Sequence, residues 1–292
     1  MHAILALLLL GSPQAGPTHD KAFWREVAKA KFEVPAGETA ATLAPELVGH
    51  LASPDPELRD DLAFTILTSW IYDKKLLGPE ALRPLVQTLQ ANLRRGIATP
   101  GTDEVFRRSF SALTLSVVAA RDNATPFLTP EEFASLLDAS LAYLRDEQDT
   151  RGFDGRKGWV HTAAHTADLL KFLARNPKLR AVDQSRLLTA VLDKQRAVTA
   201  PLAQGEDERL ARVAMSIVRR EDFDRDGFGA WLTRAQAAAT FPKPPTVETL
   251  VAQQNARHLL SALWTELSAD ERPSEGADFA RTALRETIKK LF

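Results

Sequence analysis

The sequence predicts an all-α protein: an α-α superhelix in which antiparallel helix hairpins stack side by side as in a HEAT-like solenoid. The alternative is the same set of hairpins closed into an (α/α) toroid. Three observations lead there. Leu and Ala dominate a chain that is 45% hydrophobic and 26% charged, and both residues lose little conformational entropy in a helix. Apolar side chains recur every three to four positions, and no segment sustains the period-two alternation of a half-buried strand. Proline, glycine and capping residues cut the chain into about a dozen segments of helical length, one hairpin following the next after roughly 40 residues.

In chain order, residues 20–32 predict a short helix broken by Pro35-Ala36-Gly37. Residues 39–52 predict a second, with Leu43, Leu47, Val48 and Leu51 on one face. Ser53-Pro54-Asp55-Pro56 is a stop and restart in which Asp55 can cap and Pro56 suits a first helical turn. With Glu57-Leu58-Arg59 it looks like the start of a HEAT-type repeat. That helix runs to about Lys74, and Gly78-Pro79-Glu80 opens the next, which ends near Gly96. Further helices are expected over 103–121, from Thr129-Pro130-Glu131-Glu132 to near Asp149, and from about Gly158 to Asn176-Pro177. Segments 183–198, 206–221, 226–239, 246–268 and 276–290 complete the set. Pro242-Lys243-Pro244-Pro245 is the strongest linker and suggests a hinge at 241–245 within one domain spanning 17–292.

The N-terminal run Ala3-Ile4-Leu5-Ala6-Leu7-Leu8-Leu9-Leu10 precedes small residues through Ala15. It reads as a secretory signal peptide over residues 1–16, too short for a membrane span. The expectation is a periplasmic or secreted protein; the alternative is a cytoplasmic one with a buried N-terminal helix. No later segment is apolar for long enough to cross a bilayer. There is no cysteine, which removes disulfides, thiolate metal sites and cysteine nucleophiles. A formal charge of −1 argues against nucleic acid as a partner, and basic pairs such as Arg94-Arg95 and Arg219-Arg220 read as solvated helix ends.

Two stretches carry a family resemblance. One is Arg108-Ser109-Phe110-Ser111-Ala112-Leu113, continuing to Arg121-Asp122-Asn123. The other runs from Tyr143-Leu144-Arg145-Asp146-Glu147 through Arg151-Gly152, then Lys157-Gly158-Trp159-Val160-His161-Thr162-Ala163-Ala164-His165 through Asp168 to Leu170. Together they resemble domain-of-unknown-function family 2785, a set of uncharacterised bacterial helical proteins. The resemblance covers about residues 55–290 and is strongest over 103–175. It implies the helical fold and no activity.

The chemistry-bearing pattern is His161, His165 and Asp168, at i, i+4 and i+7 of one expected helix. At about 100° per residue, all three fall within roughly a 60° arc. Two histidines at this spacing can share one metal, with Asp168 as third ligand or as an acceptor fixing a ring tautomer. Glu147 ends the preceding helix and could approach the same face, giving a hydrolytic site with an open water position. The zincin glutamate is missing, its place taken by Thr162. The competing reading packs both histidines between helices, hydrogen-bonded to neighbours.

Asp222, Asp224 and Asp226, with Gly227 after them, match the first half of an EF-hand calcium loop. The twelfth position, which should be Glu, is Thr233, so a weak calcium loop competes with an acidic turn whose Asp226 caps the next helix. Arg108, Asp122, Asn123, Trp159 and His258 are candidates to line a ligand groove on the concave side. The expected function is a binding or scaffold module taking a peptide, protein or small ligand on that face. The alternative is a metal-dependent hydrolase centred on His161, His165 and Asp168. A divalent metal, zinc or calcium, is the cofactor these patterns allow.

Overall fold

A computed structural model describes residues 19–272 and 274–291. The expected signal peptide, residues 1–16, lies outside the described residues. Twelve α-helices account for most of them: α1 (Lys21–Lys29), α2 (Ala40–His50), α3 (Thr65–Thr68), α4 (Pro79–Asn92), α5 (Glu104–Ala124), α6 (Pro130–Asp146), α7 (Thr162–Ala174), α8 (Ala181–Ala197), α9 (Glu206–Val218), α10 (Arg225–Ala239), α11 (Val247–Ser268) and α12 (Glu275–Lys289). π-Helical turns at Glu57–Phe64 and Ser69–Asp73 flank α3 and make one continuous rod of residues 57–73.

Local chemistry explains the boundaries. Thr129 accepts from Glu132 N at the start of α6 while the Glu132 carboxylate accepts from Thr129 N at 2.8 Å. This reciprocal cap satisfies amides that have no partner within the helix. Thr246 and Thr249 make the same reciprocal pair at the start of α11. The cap of α10 is Asp224, whose side chain accepts from Gly227 N at 2.9 Å, and Asp226 lies inside the first turn.

The clearest departure from the sequence reading is at residues 153–162. A helix is expected from Gly158; instead two-residue strands β1 (Phe153–Asp154) and β2 (Gly158–Trp159) pair antiparallel, and α7 starts at Thr162. The Asp154 carboxylate accepts from Arg156 N and Lys157 N and closes the turn. Gly158 has φ +76°, and a Cβ there would stand 3.0 Å from Pro56 Cβ. Only glycine meets both demands without strain.

The helices form two rows. α5, α7, α9 and α11 lie side by side in one, and α4, α6, α8, α10 and α12 in the other. Each helix packs on its next-but-one neighbour in the chain as well as on members of the opposite row. The first row is the more tightly packed, because small buried side chains line its contacts: Ser109, Ala112, Ser116 and Ala119 on α5, Ala163, Ala164 and Ala167 on α7, Ala211 and Ala214 on α9. Small residues let helix axes approach. α7 is the centre of this row, and most of its residues are buried. Trp24, Trp70 and Trp231 are fully buried anchors of the core. Among the described residues no helix is long and apolar enough to cross a membrane.

Candidate functional site

The histidine cluster sits where α5, α7 and α9 begin. His161 is the N-cap of α7 and has left-handed backbone angles (φ 51°, ψ 38°). That conformation costs roughly 1–2 kcal/mol for a non-glycine residue, so neighbouring contacts must hold it. The ring stacks on Trp159 at 4.4 Å between centroids. Its Nε2 lies 3.0 Å from Gln204 O and 3.4 Å from a Glu206 carboxylate oxygen. Both neighbours only accept, so Nε2 carries the proton.

His165 turns the other way. Its Nδ1 lies 2.8 Å from Ser109 Oγ on α5, and its ring meets Phe110 edge to face at 4.9 Å. Ser109 donates its own hydroxyl proton in a short bond to Val160 O. Ser109 Oγ therefore accepts from His165 Nδ1–H. Burial, with His161, Arg209 and Arg59 nearby, pushes the His165 pKa well below its ordinary value. The ring is held neutral. A serine nucleophile must give its proton to the imidazole; here the bond runs the opposite way.

The expected metal triad is not assembled. His161 and His165 stand edge to face, ring centroids 5.7 Å apart, each committed to a different neighbouring helix. Asp168 is bound elsewhere, to Lys171 Nζ at 2.8 Å on its own helix and to Arg209 at 2.9 Å on α9. The left-handed turn at His161 is the physical reason: it takes that residue out of the helical register that would align it with His165. Among the described residues no group of three or more His, Asp or Glu side chains is arranged to hold a metal ion.

Glu147 is buried in a two-toothed ion pair with Arg108, at 2.6 and 3.2 Å. Arg108 also donates to Arg95 O and Gly96 O, and Lys194 Nζ donates to Glu147 O at 2.5 Å. Desolvation lowers the Lys194 pKa, with Glu147 and Asp146 opposing. This network joins the loop after α4 to α5, α6 and α8, and Glu147 does not face the histidines as a base would.

The calcium expectation fails for a similar reason. Asp222 pairs with Arg220 at 2.6 Å, Asp224 is spent on the α10 cap, and Asp226 lies in the helix, so the three carboxylates do not converge. The five groove candidates are also dispersed. Arg108 is fully buried. Asp122 accepts from Phe127 N, Leu128 N, Asn176 and Lys178. Asn123 donates to Phe172 O at 2.9 Å. Trp159 is 40% exposed over His161. His258 bonds Gln254 at 2.7 Å on an exposed face of α11.

The opposite end of the same helices holds Arg175 and Arg272, which the sequence does not single out, and the Arg219-Arg220 pair, which it marks only as a solvated helix end. Arg175 is the C-cap of α7 and Arg219 the C-cap of α9. With Arg220, Arg272 and Ser216 they border a cleft of about 570 Å³. A signal existed: the last turn of α5 and the C-caps of α7 and α9 each carry an arginine followed by a polar residue, Arg121-Asp122, Arg175-Asn176 and Arg219-Arg220.

Residues 93–265 match the family described as "Protein of unknown function (DUF2785)". The chain belongs to that family. The match spans α5 to α11 nearly whole, and so takes in both the histidine end and the arginine end of the tight row. Comparison with curated proteins and with solved structures gives no match. The DUF2785 description assigns no activity, so the functional reading rests on the geometry above.

Proposed function

We propose that this DUF2785 member is a non-enzymatic helical-repeat binding module. Its two rows form an open HEAT-like superhelix, and the exposed edge of the α5–α7–α9–α11 row is its concave ligand face. The carrying observation is the difference in packing between rows: a two-row array curves toward the row whose members lie closer. Openness is supported by α1 and α2 packing on the 57–73 rod, not on α11 or α12. The ligand face carries the charged side chains Lys171, Arg175, Arg209, Arg212 and Arg219, suited to an extended peptide segment or a small polar ligand. Export through the leader at residues 1–16 belongs to the same proposal and is checked by N-terminal sequencing of material expressed in a bacterial host.

The test of the binding face is selection of a displayed random-peptide library on the full chain. Enriched peptides should lose binding to Arg212→Ala, on the tight row, and keep it to Val182→Glu, on α8 of the other row. Enrichment that survives Arg212→Ala and fails with Val182→Glu would move the site to the other face. No enrichment at all would remove the peptide-binding reading.

A further inference from the structure

The arginine cleft at the finish of α7 and α9 has more guanidinium than carboxylate. Asp270, 4% exposed, is shared: Arg219 pairs closely with it and Arg272 Nε approaches it at 3.4 Å. Arg220 is occupied, donating to Ala174 O, Asn176 O and Leu179 O and pairing with Asp222. Arg175 uses Nε on Ser216 Oγ at 3.0 Å. Among the described residues it forms no ion pair, and no hydrogen bond holds its two terminal nitrogens. Ser216 is itself fixed, donating to Arg212 O at 2.8 Å. The Arg175 fork is thus aimed by its inner nitrogen and left open at its outer edge.

Two explanations compete. Cations at helix C-termini offset the negative end of the helix dipole, which accounts for one arginine per helix end. It does not account for Arg272 beyond α11, nor for two guanidiniums sharing Asp270 beside an Arg175 that pairs with no carboxylate. Like charges held together cost free energy unless an anion joins them. Guanidinium forks match the planar and tetrahedral oxygens of carboxylate and phosphate. Glu221 and Asp222 also border the cleft, and Asp222 is neutralised by Arg220.

We propose that the cleft between Arg175, Arg219 and Arg272 binds an oxyanion carrying at least two negative charges, a phosphate group or a polycarboxylate. The volume of about 570 Å³ leaves room for a ligand larger than the anion alone. This inference rests on the reading of the tight row's exposed edge as the ligand face, and names the chemistry recognised at one end of it.

The experiment is calorimetric titration of the full chain with inorganic phosphate, pyrophosphate and citrate, each at ionic strength matched with sodium chloride. At least one anion should bind, more weakly as salt rises. Pyrophosphate stronger than citrate identifies a phosphate ligand, and the reverse a polycarboxylate. Arg175→Gln should weaken binding at least tenfold without changing the circular-dichroism melt. Arg272→Gln, at a side chain 78% exposed, should also weaken it and decides the matter if Arg175→Gln fails to fold. Absence of binding by all three anions overturns the proposal, as does unchanged affinity in both variants. Loss of anion binding with peptide selection intact would sink this inference and leave the binding module standing.

Discussion

Helices α5, α7 and α9 carry polar side chains at both ends, and the ends differ: the first is wholly spent on internal partners, while the second, beside the buried Asp122–Asn176 pair, also leaves arginines open. Where they begin, Ser109, His161, His165 and Glu206 are all buried, and Arg108 and Glu147 form a buried ion pair beside them. Where they finish, Arg175 is exposed without a carboxylate partner, and Arg219 and Arg272 share one. The dipole favours Glu206 at the first end and the arginine C-caps at the second, and Arg108 is tolerated at the first only as the partner of Glu147. Burial then decides what they can do. A buried polar group must be satisfied within the protein, so the beginnings of these helices are spent as joints. An exposed guanidinium is satisfied by water and stays free for an exchangeable anion.

The largest effect should follow from breaking the buried joint. Glu147→Ala strands a fully buried Arg108 and should cost about 3–5 kcal/mol, read by urea unfolding. The double variant Arg108→Met/Glu147→Leu, which removes both charges, should recover most of that loss. If the double variant is as unstable as the single one, the pair is needed for its shape and hydrogen bonds as well as its charge.

The next effect is a pH dependence from His165. Its folded pKa lies well below the ordinary 6.5, so under acid the unfolded chain takes up a proton that the folded chain refuses. Stability is therefore whole above pH 6.5 and falls as pH drops below it, by about 1.4 kcal/mol per unit until the folded pKa is reached. Asp60 acts in the opposite direction, since burial holds its carboxyl up to about 6 and it protonates in the fold first. The comparison that isolates His165 is wild type against His165→Asn, which can still donate to Ser109. Relative to wild type the variant should gain stability as pH falls from 7 to 5, because the Asp60 rise is no longer offset; equal slopes would mean the ring is not held neutral.

A smaller effect tests the bridge that replaced the metal triad. Asp168 joins α7 to α9 through Arg209 from a side chain 16% exposed. Asp168→Asn should cost no more than about 1 kcal/mol, and zinc should leave the melting temperature of both forms unchanged. A zinc-dependent rise in wild type that Asp168→Asn abolishes would restore the triad.

Much of this was legible in the sequence, and what was not has a consistent cause. Thr129 with Glu132, and Pro79 at the first turn of α4, mark helix starts because caps and proline act within a few residues of themselves. The apolar period located the helices for the same reason. Asp224 took the cap expected of Asp226 because either could accept from an amide three residues on, and only the packed turn, with Gln184 donating to Asp222 O, chooses. The short hairpin at 153–159 was missed because two-residue strands have no period to read. The partners of Asp168 and His161 on the next helix and its approach lie 41 and 43 residues away. Local spacing says nothing about which neighbouring face a side chain meets. Spacing alone grouped His161, His165 and Asp168, and spacing alone gave no reason to join Arg175 to Arg219.

The smallest predicted change is the sharpest test of the contrast between the two ends. Arg175→Gln removes an exposed cation that has like charges beside it and one hydrogen bond to Ser216. Solvent screens such a site, so the change in stability should stay within about 0.5 kcal/mol. Its sign should favour the variant at low ionic strength, where Arg219 and Arg272 repel Arg175 most, and the difference should vanish as salt shortens the screening length. Urea unfolding at two salt concentrations reads both. A loss above about 1 kcal/mol at high salt would make Arg175 a structural joint of the same kind as Arg108. The two ends of the row would then differ in exposure alone, and not in what they are free to bind.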